Sequence, residues 1–401
     1  MARRRLTLIC TALAAAACRP GAPHYPAPGC PEGRCEWSRL AATVDSAIAA
    51  GAAPGAVVAV SIRGIRYLHT AGRLGLDLPQ RPDTRTLYDL ASLTKVIALT
   101  TMTMIALDEH RVALDSPVVH YLPSFGGGEK DRVTIRHLLT HSSGLRAHRP
   151  LWLETPGRDS ALGLVNATPL DTMPGVRTLY SDLGAIALTE IIESVYGERI
   201  DQLAAERIFK PLSMRSTRYL PPSAWLPRIA PTEMDPWRGH IVRGEVHDEN
   251  AAWLGGVSGH AGLFSDAEDL LRFGEWLSNA WLRPSGGTTK GRAIPISTAT
   301  IREFTRRQNV VAGSSRALGW DTPSEGSSAG TRLSAASFGH TGFTGTSLWI
   351  DPERQLVIVL LSNRVHPTRE NPRLGPLRAL VADRVVETLF GSGAGRADSV
   401  R

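Results

Sequence analysis

Between Trp37 and Ala50 the apolar residues Leu40, Val44 and Ile48 recur at helical spacing and stop at Gly51, which predicts an amphipathic helix. The period then shortens. Ala56–Ile62 and Ile65–Leu68 are two apolar runs joined around Arg63-Gly64, the pattern of a hairpin. The last quarter of the chain mirrors this opening. Thr346–Ile350 and Leu356–Leu361 flank the turn Asp351-Pro352-Glu353-Arg354, and a helical pattern follows from about Pro376 to Leu389. Helix then hairpin at one end, and hairpin then helix at the other, predict one antiparallel β-sheet flanked by the terminal helices. From about residue 93 to 279 the pattern is mainly helical and loop-rich, with candidate helices at Leu93–Leu107, Val133–Leu139, Leu183–Tyr196, Ile200–Ile208 and Ala267–Asn279. We read this stretch as a mainly helical lobe inserted into the α/β lobe, giving an α+β fold. Gly126–Gly128 and Ser285–Gly287 read as loops, and no internal repeat is visible.

The chain ends follow other rules. Arg3-Arg4-Arg5 precede an apolar run, Leu6–Ala17, that ends in three alanines. This is the pattern of a secretory signal over residues 1–17, and the run is shorter than the roughly 20 residues a bilayer span needs. Cys18 follows directly and resembles the lipidated cysteine of a bacterial lipoprotein box, although Ala15 stands where such boxes usually carry leucine. The expectation is an exported protein of the periplasm or cell envelope, touching the membrane only through a lipid on Cys18 where one is added. Residues 18–35 read as a Pro/Gly-rich spacer and 392–401 as a flexible tail. Cys30 and Cys35 bracket a Pro/Gly turn, which in an exported protein suggests a local disulfide. No second cysteine pair or histidine pair completes a zinc site.

Composition alters this picture little. A chain of 401 residues exceeds what one core usually covers, so two lobes are expected. With 42% hydrophobic and 21% charged positions it is not collagen-like, coiled-coil or wholly disordered. The excess of 45 Lys+Arg over 38 Asp+Glu includes Arg3–Arg5, and no basic stretch is interleaved with aromatics, so nucleic-acid binding is not expected. One detail matters for chemistry. Only four lysines occur, Lys95, Lys130, Lys210 and Lys290, so a lysine inside a motif stands out.

Lys95 closes the motif Ser92-Leu93-Thr94-Lys95, where a helix begins. Residues three apart share a helix face, so Ser92 Oγ and Lys95 Nζ can converge. The helix start offers unpaired N–H groups to an oxyanion. A serine becomes a nucleophile beside a base. For the lysine to be that base, its pKa near ~10.4 must fall by about 3 units, about 4 kcal/mol, which a shared-proton arrangement with a second group would ease. Two further segments supply partners. Tyr180-Ser181-Asp182 precedes a helix with a phenol, a hydroxyl and a carboxylate. Phe338-Gly339-His340-Thr341-Gly342-Phe343-Thr344-Gly345 opens a strand whose glycines admit close approach of a ligand.

A Ser-x-x-Lys serine, a Tyr-x-(Asn/Asp) loop and a (Lys/His)-Thr-Gly strand, in this order, resemble the serine β-lactamase and penicillin-binding protein superfamily. Leu138–Leu145 and Gly255–Ser265 add local matches to the branch holding class C β-lactamases, D-alanyl carboxypeptidases and related esterases, and the resemblance covers most of residues 37–390. It implies a β-lactamase/transpeptidase-like fold over 36–391 and a serine hydrolase acting through an acyl-enzyme. Ser92 would be the nucleophile and Lys95 with Tyr180 the proton-transfer pair, either of them the base. The backbone N–H groups of Ser92 and Phe343 would form the oxyanion hole. His340, Thr341, Gly342, Asp182 and His260 would meet substrate. No metal or cofactor is implied, and a monomer acting on a small molecule or a peptidoglycan peptide is expected.

Two departures shape the expected activity. Asp182 stands where β-lactam-active members usually carry asparagine, and a carboxylate accepts hydrogen bonds but cannot donate to a substrate carbonyl. Unless protonated or paired with Lys95, it would repel such a group. His340 replaces a lysine and is mostly neutral at pH 7, which weakens its grip on a substrate carboxylate. D-alanyl carboxypeptidase action is therefore expected first, with an esterase, a weak β-lactamase or a penicillin sensor without turnover as alternatives. Elsewhere, Ser142 and Ser143 read as a helix end before Gly144. His247-Asp248-Glu249-Asn250 reads as a polar loop near the pocket rim, and Trp253 as core.

Overall fold

The computed structural model describes residues 35–285 and 293–391; the segment 1–17, Cys18, Cys30, Lys290 and the tail 392–401 lie outside the described residues. Cys35 is disulfide-bonded. In chain order the strands are β1 (Gly55–Ile62), β2 (Ile65–Gly72), β3 (Tyr88–Asp89), β4 (Arg218–Tyr219), β5 (Met234–Asp235), β6 (His240–Ile241), β7 (Leu263–Ser265), β8 (Phe338–Thr341), β9 (Ser347–Asp351) and β10 (Leu356–Ser362). Five of them form one antiparallel sheet in the order β2-β1-β10-β9-β8.

Its centre is apolar on both faces, and the two-residue period divides the side chains between two cores. Ala56, Val58 and Val60 of β1 pack with Leu356, Ile358 and Leu360 of β10 against Leu40 and Val44 of the N-terminal helix Ser38–Ala49 and Val381 and Val385 of the C-terminal helix Leu374–Phe390. Val57, Ala59, Val357 and Val359 face the opposite way into the larger core shared with the helices between residues 93 and 282. Both hairpins and both terminal helices thus stand where the hydrophobic pattern predicts them. The helix Ala267–Leu282 packs directly on β10, β1 and β9. Gly274 permits this approach, since a Cβ there would lie 2.5 Å from Val357 Cγ1.

Two features position the site. β8 forms one edge of the sheet, His340 opposite Leu348. The small sheet β3-β7-β4 holds the chain just before Ser92, and Leu90 N–H continues it by donating to Leu263 O at 2.9 Å. The helix expected at Leu93–Leu107 does not keep one period. Lys95–Thr100 is π-helical and Thr101–Asp108 is α-helical, and the Thr101 hydroxyl caps the irregularity by donating to Val96 O at 3.0 Å. Such wide turns gather at functional sites.

Candidate active site

Ser92 stands on a strained turn. Ala91, directly before it, has φ +46°, in the left-handed region that costs a side-chain-bearing residue energy. The buried Asp89 carboxylate holds the turn, accepting Ala91 N–H at 2.8 Å and His247 N–H at 2.6 Å. From across the cleft, Thr344 donates to Asp89 O and Thr346 to Leu90 O. The result is a half-buried serine at the head of a helix, facing a cleft of about 580 Å³.

Lys95 lies beneath it, buried, with two hydrogen-bond acceptors and one carboxylate around its ammonium. Nζ lies 3.0 Å from Ser92 Oγ, 2.9 Å from the His260 carbonyl and 2.7 Å from Asp182 Oδ1. Burial alone would push its pKa down, but the charge of Asp182, with Tyr180, outweighs burial and raises it. The fall required of a free-lysine base is therefore absent in the resting site: Asp182 supplies the charge that keeps Lys95 an ammonium, and Ser92 Oγ accepts from it. Asp182 is the first residue of the helix Asp182–Tyr196, placed by the N-cap Ser181, whose hydroxyl accepts Gly184 N–H.

The Tyr180 hydroxyl is buried and makes no well-aligned hydrogen bond. Burial raises its pKa, while nearby Lys95 and Ser92 pull against that rise without reversing it. It rests as a neutral phenol near both. The ring is clamped by His141 at 4.4 Å, His340 at 5.9 Å and the Arg316 guanidinium at 5.1 Å. His141 Nδ1 in turn accepts Ser181 N–H at 3.1 Å. The motif around Ser142 is thus structural support: Ser142 bonds Thr140, and His141 steadies the tyrosine loop.

On β8, His340 is buried and its pKa is pushed down to about 3, by burial first and then by Arg316 and Lys95. Nδ1 lies 2.8 Å from Thr341 O, an acceptor, so Nδ1 carries the proton and Nε2 is a buried lone pair without a partner. Thr341, Gly342 and Phe343 line the cleft. The backbone N–H groups of Ser92 and Phe343 are engaged by no other described residue and suit an oxyanion hole. The His260 ring, expected to touch substrate, is 1% exposed and bonded to Asp248 and Ser258 instead. What it presents to the site is its carbonyl. His247, Asp248 and Glu249 line the cleft, as expected of a segment near the pocket, but it is held firmly: Asp248 caps a short helix, Glu249–Trp253, and His247 and Asn250 are buried.

Four arginines at the cleft carry no motif. Arg316 pairs with Asp321, and Arg369 with Glu233 and Glu249. Arg364 instead donates to the carbonyls of Arg369 and Asn371 and covers the Phe343 ring. Arg378 donates to Gly342 O at 2.6 Å and leaves Nε unpartnered; burial, with Arg364 nearby, pushes its pKa down to about 10. These two guanidiniums have no carboxylate partner among the described residues. A larger cavity of about 800 Å³, lined by Glu198, Lys210 and Trp225, shares no residue with this cleft. No described cluster of three or more His, Cys, Asp or Glu could hold a metal ion.

A serine at the head of a helix over a buried lysine, between a helical lobe and the edge of an antiparallel sheet, is the arrangement of a class of serine hydrolases. Comparison with known proteins agrees. The family described as Beta-lactamase matches residues 40–383. The Salmonella typhi protein named "Putative D-alanyl-D-alanine carboxypeptidase" is 32% identical over 352 residues, 78% of this chain and 79% of that one. A penicillin-binding protein homologue from Caulobacter crescentus shares the fold with a TM-score of 0.69 at 22% identity, over 90% of this chain and 98% of its own. A class C β-lactamase does so at 0.68 and 19%, over 88% and 97%. The chain belongs to the β-lactamase family and is a serine hydrolase.

Proposed function

We propose that this hydrolase is exported and removes the terminal D-alanine from peptidoglycan peptides through an acyl-enzyme on Ser92. The observation that carries the reading is the pairing of Ser92 over Lys95 with two arginines in the same cleft that have no carboxylate partner among the described residues. A carboxypeptidase substrate ends in a free carboxylate, and an arginine fork meets a carboxylate bidentately. Neutral His340 leaves that task to Arg378 and Arg364. The carboxypeptidase name carried by the Salmonella relative supports the same class.

Ser92 Oγ would attack the scissile carbonyl, forming the ester bond while the oxyanion gathers at the N–H groups of Ser92 and Phe343. Lys95, once its ammonium has lost a proton to solvent, would take the Ser92 proton as the new C–O bond forms. Tyr180 gives its proton to the leaving D-alanine nitrogen as the C–N bond breaks and regains one from the Lys95 ammonium; in deacylation the Lys95 amine takes a proton from the attacking water and returns it to Ser92 Oγ as the ester C–O bond breaks. Asp182 also favours a second reading, ester hydrolysis. A paired carboxylate in place of an amide removes a donor to a substrate side-chain carbonyl but costs a small ester nothing. The charged and apolar pattern of residues 1–17 supports export, with Cys18 as lipid site; no described helix is long and apolar enough to cross a membrane.

The test is covalent labelling with a fluorescent penicillin and a fluorophosphonate, followed by mass mapping, alongside D-alanine release from a pentapeptide. An adduct on Ser92 that Ser92→Ala abolishes is expected. No adduct with either reagent would overturn the reading.

A further inference from the structure

Outside the groups that handle the proton, a second buried network ends on the catalytic lysine. The His260 ring lies with Nε2 2.8 Å from Asp248 Oδ1 and Nδ1 2.7 Å from Ser258 Oγ. A carboxylate only accepts, so Nε2 carries a proton, and Nδ1 shares a hydrogen bond with the Ser258 hydroxyl, which can serve as either donor or acceptor. The order serine, histidine, aspartate matches that of a hydrolytic triad, but Ser258 is 2% exposed and lines no part of the cleft. It cannot meet substrate.

The chain around it is pinned residue by residue. Tyr219 donates to Ser258 O at 3.1 Å, and Thr189 Oγ1 accepts Gly259 N–H at 3.0 Å. Gly259 sits so close that a Cβ there would fall 2.2 Å from Thr189 Oγ1. Asp248 is fixed as well, accepting Ala251 N–H at 2.8 Å as the cap of its helix. This rigidity is aimed at one atom: the His260 carbonyl, which takes one of the three Lys95 N–H bonds at 2.9 Å.

We propose that the Asp248–His260–Ser258 network is a positioning device for Lys95, holding the His260 carbonyl so that Nζ stays between Ser92 and Asp182. Without it only the backbone bonds of Ser258 and Gly259 hold the segment, the carbonyl gains play, and the ammonium turns toward Asp182 and away from Ser92. The proposal rests on Ser92 being the acylated nucleophile.

The experiment compares Ser258→Ala and His260→Asn with wild type in ester turnover, thermal melting and fluorophosphonate labelling. Positioning predicts kcat lowered tenfold or more, KM within twofold of wild type, and for Ser258→Ala a melting temperature close to wild type. Wild type labelled on Ser92 with kcat unchanged in a folded variant would overturn the proposal. So would a parallel loss of kcat, KM and melting temperature, the mark of a merely structural residue. Should His260→Asn not fold, Ser258→Ala decides alone. Failure of wild type itself to label would overturn the nucleophile reading and this proposal together.

Discussion

The carboxylate of Asp182 lies 2.7 Å from Lys95 Nζ, and this contact sets the state in which the lysine waits. Of the charged and titratable groups around Nζ, Asp182 and Tyr180 raise its pKa, while burial opposes them. A base whose pKa is raised becomes available only as pH rises, so ester turnover should climb through the alkaline range. Asp182→Asn removes the opposing charge and leaves burial to act, which moves the rising limb of the pH–rate profile to lower pH by about 1–3 units. The same change restores an amide donor and should raise β-lactam turnover relative to ester turnover. A limb that stays in place in kcat/KM profiles of the variant would show that Lys95 is not the base.

Arg378 carries the substrate-class argument. Its half-buried guanidinium spends one N–H on Gly342 O and leaves Nε open. A charge-assisted hydrogen bond contributes about 1.5–3 kcal/mol, a factor of about 10–100 in binding. Arg378→Ala should therefore raise KM for D-alanyl peptides by roughly that factor while leaving an uncharged short-chain ester nearly unaffected. Equal losses on both substrates would sink the carboxylate assignment.

What could be read from the chain alone follows the reach of local patterns. The two hairpins were legible because side-chain alternation and turn residues act within a few positions, and Ser92 with Lys95 because one helical turn joins them. The pairing of Lys95 with Asp182 was raised only as a condition, since the two stand 87 positions apart. Arg378 lies on the C-terminal helix Leu374–Phe390, where an arginine among apolar residues reads as a solvated face. Only the placement of that helix against β10 and the N-terminal helix, with Arg378 reaching Gly342 O, turns it to the cleft. His247–Asn250 was legible as a segment near the pocket but not in its anchoring. Four polar residues in a row read as a loop, yet each is satisfied by a distant partner: Asp89 and Glu233 for His247, His260 for Asp248, Arg369 for Glu249, and the Arg149–Leu151 backbone for Asn250. The π-helical stretch after Ser92 leaves no periodic trace over six residues.

Gly342 is required by space. A Cβ there would lie 2.1 Å from Thr346 Oγ1 and 2.4 Å from Leu90 O, the backbone of the turn that carries Ser92. Backbone cannot yield as a flexible side chain does, and overpacking of this kind costs about 1–3 kcal/mol. Gly342→Ala should lower the melting temperature and, by pushing Phe343 N–H away from Ser92, slow acylation. Thermal scans and labelling rates together check this, and a variant equal to wild type in both would show that the turn has slack.

Acid should loosen the same region through Glu233. Burial favours its neutral form, but hydrogen bonds from His247 Nε2 at 2.9 Å and Arg369 Nε at 2.6 Å prevail and bring its pKa from 4.5 down to about 2. A carboxyl whose folded pKa lies below its unfolded value contributes stability that is complete above the unfolded value and is lost as pH falls through the folded one. The contribution should thus be intact above pH 4.5 and disappear toward pH 2. The loss reaches the site, because His247 stacks on Phe343 at 5.7 Å. Glu233→Gln should melt lower than wild type at neutral pH and show a shallower decline across that acid window, since the group that titrates is gone. Melting curves taken at steps through the window decide it: parallel declines in the two proteins would show that the acid sensitivity belongs to other carboxyls.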